Sequence, residues 1–218
     1  MMDTIQKALD YALNPASDFL GQVFTHLSLS AAALVMGALI GIPLGIWISR
    51  YGALARIVVN AVGIVRVLPS IAVLFLLLPS QGIGFRPAVI ALTLLAIPPL
   101  LINTDAGLRG VDKAVIEAGR GLGMSSWRLL RTVQLPLATP VILAGLRIAA
   151  VEVVASATLA TLIGGGGLGD FIATGLALGQ SRYYILLVGA IPVALIALFT
   201  EVGLGYLQRS VAARQHSA

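Results

Sequence analysis

The sequence predicts an all-α integral membrane protein with about five transmembrane helices and a helix-turn-helix loop on its cytoplasmic side. Three observations predict this class: 58% of the 218 residues are hydrophobic, 11% are charged, and the mean hydropathy is +0.99. A soluble domain has roughly 25% charged residues, so this chain has too little charge to cover a globular surface. We expect a single transmembrane domain over residues 1–218.

The charge and the missing residue types exclude several classes of function. The net charge of +5 comes from basic residues between apolar segments, where the positive-inside rule places them, and does not indicate nucleic-acid binding. The chain has no cysteine, its two histidines are His26 and His216, and it lacks the His-Glu-x-x-His and Gly-x-Ser-x-Gly patterns. We therefore expect no disulfide framework, no metal site and no catalytic site.

Residues 1–20 are expected to form an external N-terminal segment. The stretch carries Asp3, Asp10 and Asp18 against one lysine, Lys7. It lacks the basic start and the small-residue cleavage site of a signal peptide. The first apolar span is therefore expected to be retained as a signal anchor.

Five apolar segments are each long enough to cross a bilayer, which takes about 20 residues. They cover residues 21–49, 53–78, 87–104, 138–163 and 183–208. Prolines fall in or near these spans, at positions 43, 69, 98, 99, 140 and 192. Proline tends to kink a helix, so the set favours a moving pathway, although proline is also commoner in membrane helices than in soluble ones.

The basic residues predict the orientation of the five spans. With five spans, nine basic residues fall on one side: Arg50, Arg56, Arg109, Lys113, Arg120, Arg128, Arg131, Arg209 and Arg214. The opposite side receives only Lys7, Arg86 and Arg182. The positive-inside rule then places the N-terminus outside and the C-terminus in the cytoplasm.

Small residues repeat along one face of the first span. Gly37, Gly41 and Gly45 are spaced by four residues, which lets another helix approach closely. We favour packing within the same chain over a contact between two copies.

The central loop, residues 105–136, is a basic island between apolar spans. Residues 112–122 and 125–133 can each form a short helix, with Gly121 and Gly123 breaking the chain between them. Ser125 or Ser126 could cap the second helix, and Pro136 is expected to end the loop and start the fourth span.

The second of these short helices carries an apolar face with a basic rim. Trp127, Leu130 and Val133 recur at helical spacing, and Arg128 and Arg131 lie beside them. Such a face suits a groove on a partner protein. The alternative is an amphipathic helix that lies on anionic lipid.

The residue pattern of the central loop resembles that of the EAA loop of permease subunits of bacterial ABC importers. The family pattern is Glu-Ala-Ala, three residues, Gly, nine residues, Ile-x-Leu-Pro. This chain matches it at Glu117, Ala118, Gly123, Leu135 and Pro136. It departs at two positions, with Gly119 for the second Ala and Val133 for Ile.

In that family the loop is a coupling helix that docks into the ATP-binding subunit. The resemblance implies that the contact involves residues of this loop, here called the coupling loop: Glu117, Ala118, Gly119, Gly123, Trp127, Leu135 and Pro136. It also implies that ATP and Mg bind a partner ATPase and that this chain binds no cofactor itself.

Other segments resemble particular branches of the family. Residues 66–70, Arg-Val-Leu-Pro-Ser, are similar to the Arg/Gln-Thr/Ser-Ile-Pro-Ser element in the second span of small permeases. Residues 110–112 and 163–172 are typical of the osmoprotectant branch, which imports glycine betaine, choline, carnitine and related quaternary amines. Methionine permeases are similar too, with a comparable glycine-rich segment.

The resemblance implies a multi-pass protein of the bacterial inner membrane that imports an osmoprotectant by alternating access. Its partners would be ATP-binding subunits, a second permease subunit, an extracytoplasmic binding protein and membrane lipid, with no nucleic acid. One alternative is the same machinery importing methionine or another small amino acid. A channel without an ATPase or an intramembrane enzyme is a different class, disfavoured by the elaborate loop and the missing catalytic patterns.

Ionisable groups inside a span usually mark function or a buried pair. The candidate pathway residues are Arg66, Pro69, Ser70, Glu152 and Ser156. Glu152 is expected to face the pathway and favour a cationic or zwitterionic cargo; the alternative is a structural partner, either Arg66 or a backbone group where Pro69 breaks its helix. Two further charged residues, Arg147 and Glu201, lie near cytoplasmic span ends and are expected to reach the headgroup region.

The glycine-rich run after the fourth span is a candidate outer gate. It comprises Gly164, Gly165, Gly166, Gly167 and Gly169, ahead of a short apolar piece at 171–178. It lacks the Lys-Ser/Thr of a phosphate-binding loop. We expect a tight outer turn or a gate.

Overall fold

A computed structural model describes residues 2–216, except for the side chains of Met2, Val65, Ser181 and residues 214–216. The side chains of Arg214 and His216, both considered above, therefore lie outside the described residues. The described chain folds into ten α-helices joined by short turns and by 3-10 and π segments. They are α1 Met2–Leu13, α2 Phe19–Ile48, α3 Gly52–Val65, α4 Ser70–Gln81, α5 Phe85–Arg109, α6 Lys113–Gly121, α7 Ser126–Leu129, α8 Leu135–Ser156, α9 Gly169–Ala177 and α10 Tyr183–His216.

Four stretches of the described residues are helical, long and apolar enough to cross a membrane. They are Pro15–Ile48, Phe85–Arg109, Ser126–Ile163 and Tyr183–Ala213, and they correspond to the first, third, fourth and fifth predicted spans. The third span is longer than predicted, because α5 continues to Arg109. Residues 105–109 are thus the last turn of a span and not part of the central loop.

The second predicted span, 53–78, is not one helix. It is broken into α3 and α4, of 14 and 12 residues, at Arg66–Pro69. Pro69 has no N–H to continue the helical ladder, and its ring disfavours a helical conformation at the residue before it. Its own ψ of 134° turns the chain into an extended conformation before α4 begins.

Helices α2 and α5 run parallel, in contact along the glycine stripe. A Cβ added at Gly37 would lie 2.6 Å from the Cβ of Ala96, and one at Gly45 would lie 2.6 Å from the Cβ of Thr104. The predicted packing of the stripe within the chain is therefore confirmed. Because two parallel neighbours must be joined by a return path, α3 and α4 together retrace the length of the bundle.

Helix α8 runs antiparallel to α5. Gly107, near the end of α5, lies against Val141 near the start of α8, and Gly145 lies against Asn103. The largest buried cluster joins α2, α5 and α8 through small and branched side chains, among them Leu29, Leu92 and Val153. Three close-packed helices thus form the centre of the protein.

Helix α10 covers α8, and α1 covers the beginning of α10. Ala8 packs with Ile185 and Val188, and the ring of Tyr11 meets that of Tyr184 at a centroid distance of 6.0 Å. The predicted N-terminal segment is thus a helix at the end of the bundle where α10 starts. The C-terminal ends of α2 and α5 and the coupling loop lie at the opposite end.

Candidate functional site

The coupling loop begins with α6, whose N-terminus is capped by Asp112. The Asp112 carboxylate accepts a hydrogen bond of 2.9 Å from the backbone N–H of Ala114. Glu117 and Ala118 are exposed on this helix. Among the described residues, no side chain forms an ion pair with Glu117, so its carboxylate is available to a partner.

Gly123 ends α6 in a left-handed conformation. Its φ is +75°, its N–H donates to the Arg120 carbonyl at 2.9 Å, and the Met124 N–H donates to the Gly119 carbonyl at 3.1 Å. These two bonds form a Schellman cap, in which the residue after the helix favours glycine because a Cβ is strained at positive φ. The glycine of the family pattern is therefore the turn residue of this loop.

Gly119 is buried where α6 crosses α7. A Cβ at this position would lie 2.6 Å from Cδ1 of Leu129. The departure from the family's second alanine has a physical reason here, because Leu129 fills the space that the methyl group would take. Leu129 is itself 3% exposed and packs against Gly119.

The sequence suggested that the second half of the loop forms a separate helix. The structure differs, because this half is continuous with α8. Ser125 caps α7, its hydroxyl accepting from the Arg128 N–H at 3.3 Å, but α7 continues through a π segment, Leu130–Gln134, into α8. The Leu135 N–H donates to the Leu130 carbonyl, one residue further back than in an α-helix. Pro136 follows immediately and supplies no N–H, so a wider turn accommodates it without ending the helix.

The apolar face of the loop differs from the predicted one. Leu130 is only 4% exposed and packs against Leu108 and Ala138, so it anchors the loop to the bundle. Trp127 is 64% exposed and Leu122 is 80% exposed. The surface available to a partner is therefore formed by Leu122 and Trp127, at the turn, with Glu117 on α6.

The candidate pathway residues lie in two places. Arg66, Pro69 and Ser70 form the break between α3 and α4, where Arg66 and Pro69 are exposed. Glu152 is half-buried on α8, and Ser156 is buried in the last turn of that helix. The structure therefore places one group at a broken helix and the other inside the bundle.

Arg66 and Glu152 do not form an ion pair. Within the part of the chain that the structure describes, no nitrogen of Arg66 lies within 4 Å of a Glu152 oxygen. A closed ion pair, the alternative considered for Glu152, is not formed in this conformation.

The glycine-rich run is a packed turn. Residues Gly164, Gly166 and Gly167 have positive φ values, and the Gly167 N–H donates to Gln22 Oε1 at 2.7 Å. Gly169, at the start of α9, packs directly on the carbonyl of Thr158, and a Cβ at Gly165 would lie 2.9 Å from that of Ala88. The predicted tight turn before the short apolar piece is present, with α9 as that piece.

Two residues of α2 that the sequence did not single out support this turn. Gln22 holds the N–H of Gly167, and the backbone of His26 lies 3.3 Å from the position of a Gly167 Cβ. His26 is fully buried, and its Nε2 lies 3.2 Å from the carbonyl oxygen of Val154 on α8. A polar side chain in an apolar span, repeated after four residues, is the signal that could have identified this pair.

Arg147 and Glu201 pair with each other, which the sequence did not predict. Arg147 Nε lies 3.5 Å from Glu201 Oε1, and Gly205 leaves room for the guanidinium between α8 and α10. Among residues 2–216, no group of three or more metal-binding side chains lies together.

Comparisons with known proteins agree with this geometry. Residues 37–213 match the family described as binding-protein-dependent transport system inner membrane component. The chain is 45% identical over 191 residues to the carnitine transport permease protein OpuCB of Listeria monocytogenes, covering 88% of this chain and 87% of that protein. It is 38% identical to the osmoprotectant import permease protein OsmW of Salmonella typhimurium, covering 95% and 96%.

Among solved structures, a chain of the inward-facing MetNI methionine ABC transporter is similar in fold. The TM-score is 0.78 at 23% identity, over 88% of this chain and 95% of that one. Together with the exposed turn between α6 and α7, these similarities assign the chain to a family. It belongs to the binding-protein-dependent transport system inner membrane components, the permease subunits of ABC importers.

Proposed function

We propose that this chain is the translocation subunit of an ATP-driven importer that moves a quaternary-amine osmoprotectant, such as glycine betaine, choline or carnitine, into the cell. The transport part of the proposal is carried by the coupling loop. Its turn presents Leu122, Trp127 and Glu117 as one exposed surface at an end of the bundle, which is the form of a docking surface for a cytoplasmic protein.

The substrate class is supported by the relatives. The two relatives described above are named as a carnitine transport permease and an osmoprotectant import permease. The similarity to the methionine transporter, at 23% identity, indicates the fold and not the cargo.

The coupling residues act through two mechanisms in this proposal. Glu117, Ala118 and Trp127 touch the ATPase directly, whereas Gly119 and Gly123 set the shape of the turn. Leu135 and Pro136 connect the loop to α8, so a displacement of the turn is transmitted along one continuous helical stretch. ATP and Mg bind the partner ATPase, and this chain carries out no chemical step.

The pathway is proposed to lie along the broken span and α8. Arg66, Pro69 and Ser70 interrupt one wall, and broken helices in a membrane are tolerated where they line a cavity. Glu152 and Ser156 project from the other wall, and the open distance between Arg66 and Glu152 leaves the carboxylate free to meet a cationic group. The turn Gly164–Gly169 would close the external side.

The proposed assembly contains a second permease subunit, a pair of ATPase subunits and an extracytoplasmic binding protein, in the bacterial inner membrane. The basic residues at the coupling-loop end support a cytoplasmic location for that end and for the C-terminus, with the N-terminus outside. Alternating access between the two permease subunits would move the substrate.

Uptake in cells tests the proposal. The complete system is expressed in a strain without osmoprotectant uptake, and accumulation of labelled glycine betaine is measured. We expect uptake that unlabelled choline or carnitine reduces and that is lost on Glu117→Lys. Full competition by methionine would instead establish the amino-acid alternative, and uptake that persists without the ATPase subunit would indicate a channel.

A further inference from the structure

A cavity of about 520 Å³ separates the coupling loop from the C-terminal ends of α2 and α5. Four basic side chains line it: Arg50, Arg109, Lys113 and Arg120. They come from three helices. Arg50 follows the end of α2, Arg109 ends α5, and Lys113 and Arg120 lie at the two ends of α6. No acidic residue of the described chain is among the lining side chains, so the cavity is a region of positive potential.

Only one of the four cations is neutralised. Arg109 donates to Asp105 at 2.7 Å and to the Ile48 carbonyl at 3.3 Å. Arg50, Lys113 and Arg120 form no ion pair within residues 2–216. All three side chains are exposed, and an anion bound between them would reduce the repulsion between their charges.

Aromatic side chains beside Arg50 indicate the depth of this residue in the membrane. Trp47 and Tyr51 flank Arg50, each 53% exposed, with their rings 5.9 Å apart. Exposed Trp and Tyr side chains at the end of a span mark the interface between the acyl chains and water. Arg50 is therefore held at the level where phosphate groups are concentrated.

We propose that this cavity binds a phosphate group, supplied by an anionic lipid headgroup or by free phosphate, and that the bound group ties the coupling loop to the bundle. Arginine suits this role because its planar guanidinium can donate two parallel hydrogen bonds to a phosphate. The Ser126 hydroxyl at the start of α7 also lines the cavity and can donate to the same group. One phosphate would thus connect α2, α6 and α7.

The position of the two tryptophans makes binding measurable. Trp47 lies beside Arg50 and Trp127 beside Ser126, and the chain has no other tryptophan. The full-length chain is placed in nanodiscs of neutral phosphatidylcholine and titrated with inorganic phosphate, with chloride at matched ionic strength as the reference. We expect a saturable change in fluorescence and a rise in melting temperature with phosphate only.

Paired variants separate the site from general charge effects. Arg50→Gln combined with Arg120→Gln should weaken phosphate binding by about tenfold or more, because charge-assisted hydrogen bonds are lost. The matched control, Arg128→Gln with Arg131→Gln, removes two exposed charges from the same loop outside the cavity and should bind normally. Arg120→Lys keeps the charge and should weaken binding less than Arg120→Gln.

A second arm distinguishes the two sources of phosphate. In nanodiscs that contain phosphatidylglycerol, a headgroup in the cavity would suppress the response to inorganic phosphate, and native mass spectrometry would show retained lipid that the Arg50/Arg120 variant loses. An unchanged response would indicate free phosphate. The proposal is overturned if neither probe binds, or if the cavity variant and its control bind equally. Neither result depends on uptake, so the transport proposal would stand.

Discussion

Arg147 of α8 and Glu201 of α10 lie side by side in the fourth and fifth spans, with Arg147 Nε 3.5 Å from Glu201 Oε1. Neither side chain would be favourable alone in a membrane, where an uncompensated charge costs roughly 2.5 to 3.5 kcal/mol on insertion scales. Gly205 provides the space for the guanidinium. The ion pair therefore links α10 to α8, without a hydrogen bond from Arg147 Nε.

The first prediction concerns this pair. Arg147→Gln or Glu201→Gln alone should lower the thermal stability, because each leaves one charge without its partner. The double variant should be closer to the wild type than the sum of the two changes predicts. A double-mutant cycle by thermal unfolding in lipid nanodiscs measures the difference, with an expected coupling of at least about 0.5 kcal/mol. Strictly additive effects would show that the two side chains do not interact.

A second prediction separates the two glycines at the end of α6. Gly123→Ala should destabilise the loop by about 1 to 2 kcal/mol, because alanine is strained at a φ of +75°. Gly121→Ala is the matched control, since Gly121 is helical and a Cβ there meets nothing within 4 Å. It should be neutral or stabilising, because alanine favours helix. Co-purification of the ATPase is the readout, and equal loss in both variants would contradict the Schellman cap as the cause.

A third prediction tests the contact between α2 and α5. Gly45→Ala places a methyl group 2.9 Å from the Leu101 carbonyl oxygen, so the helices must move apart. We expect a loss of about 1 to 3 kcal/mol, as for other overpacked cores. Gly63→Ala in α3, where a Cβ meets nothing within 4 Å, serves as the control and should not destabilise. Melting of the two purified variants gives the comparison.

A fourth prediction concerns the support of the outer turn. Gln22→Met removes the oxygen that accepts the Gly167 N–H at 2.7 Å, whereas Gln22→Glu keeps an acceptor. Hydrogen exchange at residues 164–169 should accelerate in the Met variant, because a local opening needs less free energy. Similar protection in the two variants would mean that packing alone holds the turn.

A fifth prediction addresses Glu152 and rests on the proposed function. Glu152→Gln should reduce choline uptake more than tenfold if the carboxylate meets the cationic group in the pathway. Glycine betaine, which carries its own carboxylate, should be affected less. Transport is compared at equal amounts of membrane-inserted protein, and unchanged uptake of both substrates would exclude a pathway role.

The sequence predicts this fold well where a feature depends on local composition. The apolar segments, the turn at Gly123 and the cap at Ser125 all follow from neighbouring residues, whereas Gly121, expected at the break, is the last residue of α6. Pro69 was expected to break its helix, but the second span was still drawn as one segment. Its division into two helices depends on the chain remaining extended after the break, which composition does not report.

In the coupling loop, too, the sequence predicts the local helix but not its contacts with distant residues. Trp127 and Leu130 are three residues apart and share one face by periodicity, yet the first is exposed and the second packs on Leu108. A helical period gives a face but not the direction in which the face points. That direction follows from packing, because Leu130 contacts Leu108 and Ala138 in the bundle.

By itself the sequence determined the class of protein, the approximate positions of four apolar spans, and the pattern in the coupling loop, because each is set by residues close together in the chain. The tertiary structure decided which charged residues meet. It paired Arg147 with Glu201, kept Arg66 out of contact with Glu152, and gathered Arg50, Lys113 and Arg120 around one cavity. Such pairings depend on the rotation and depth of whole helices, which only packing between distant segments can fix.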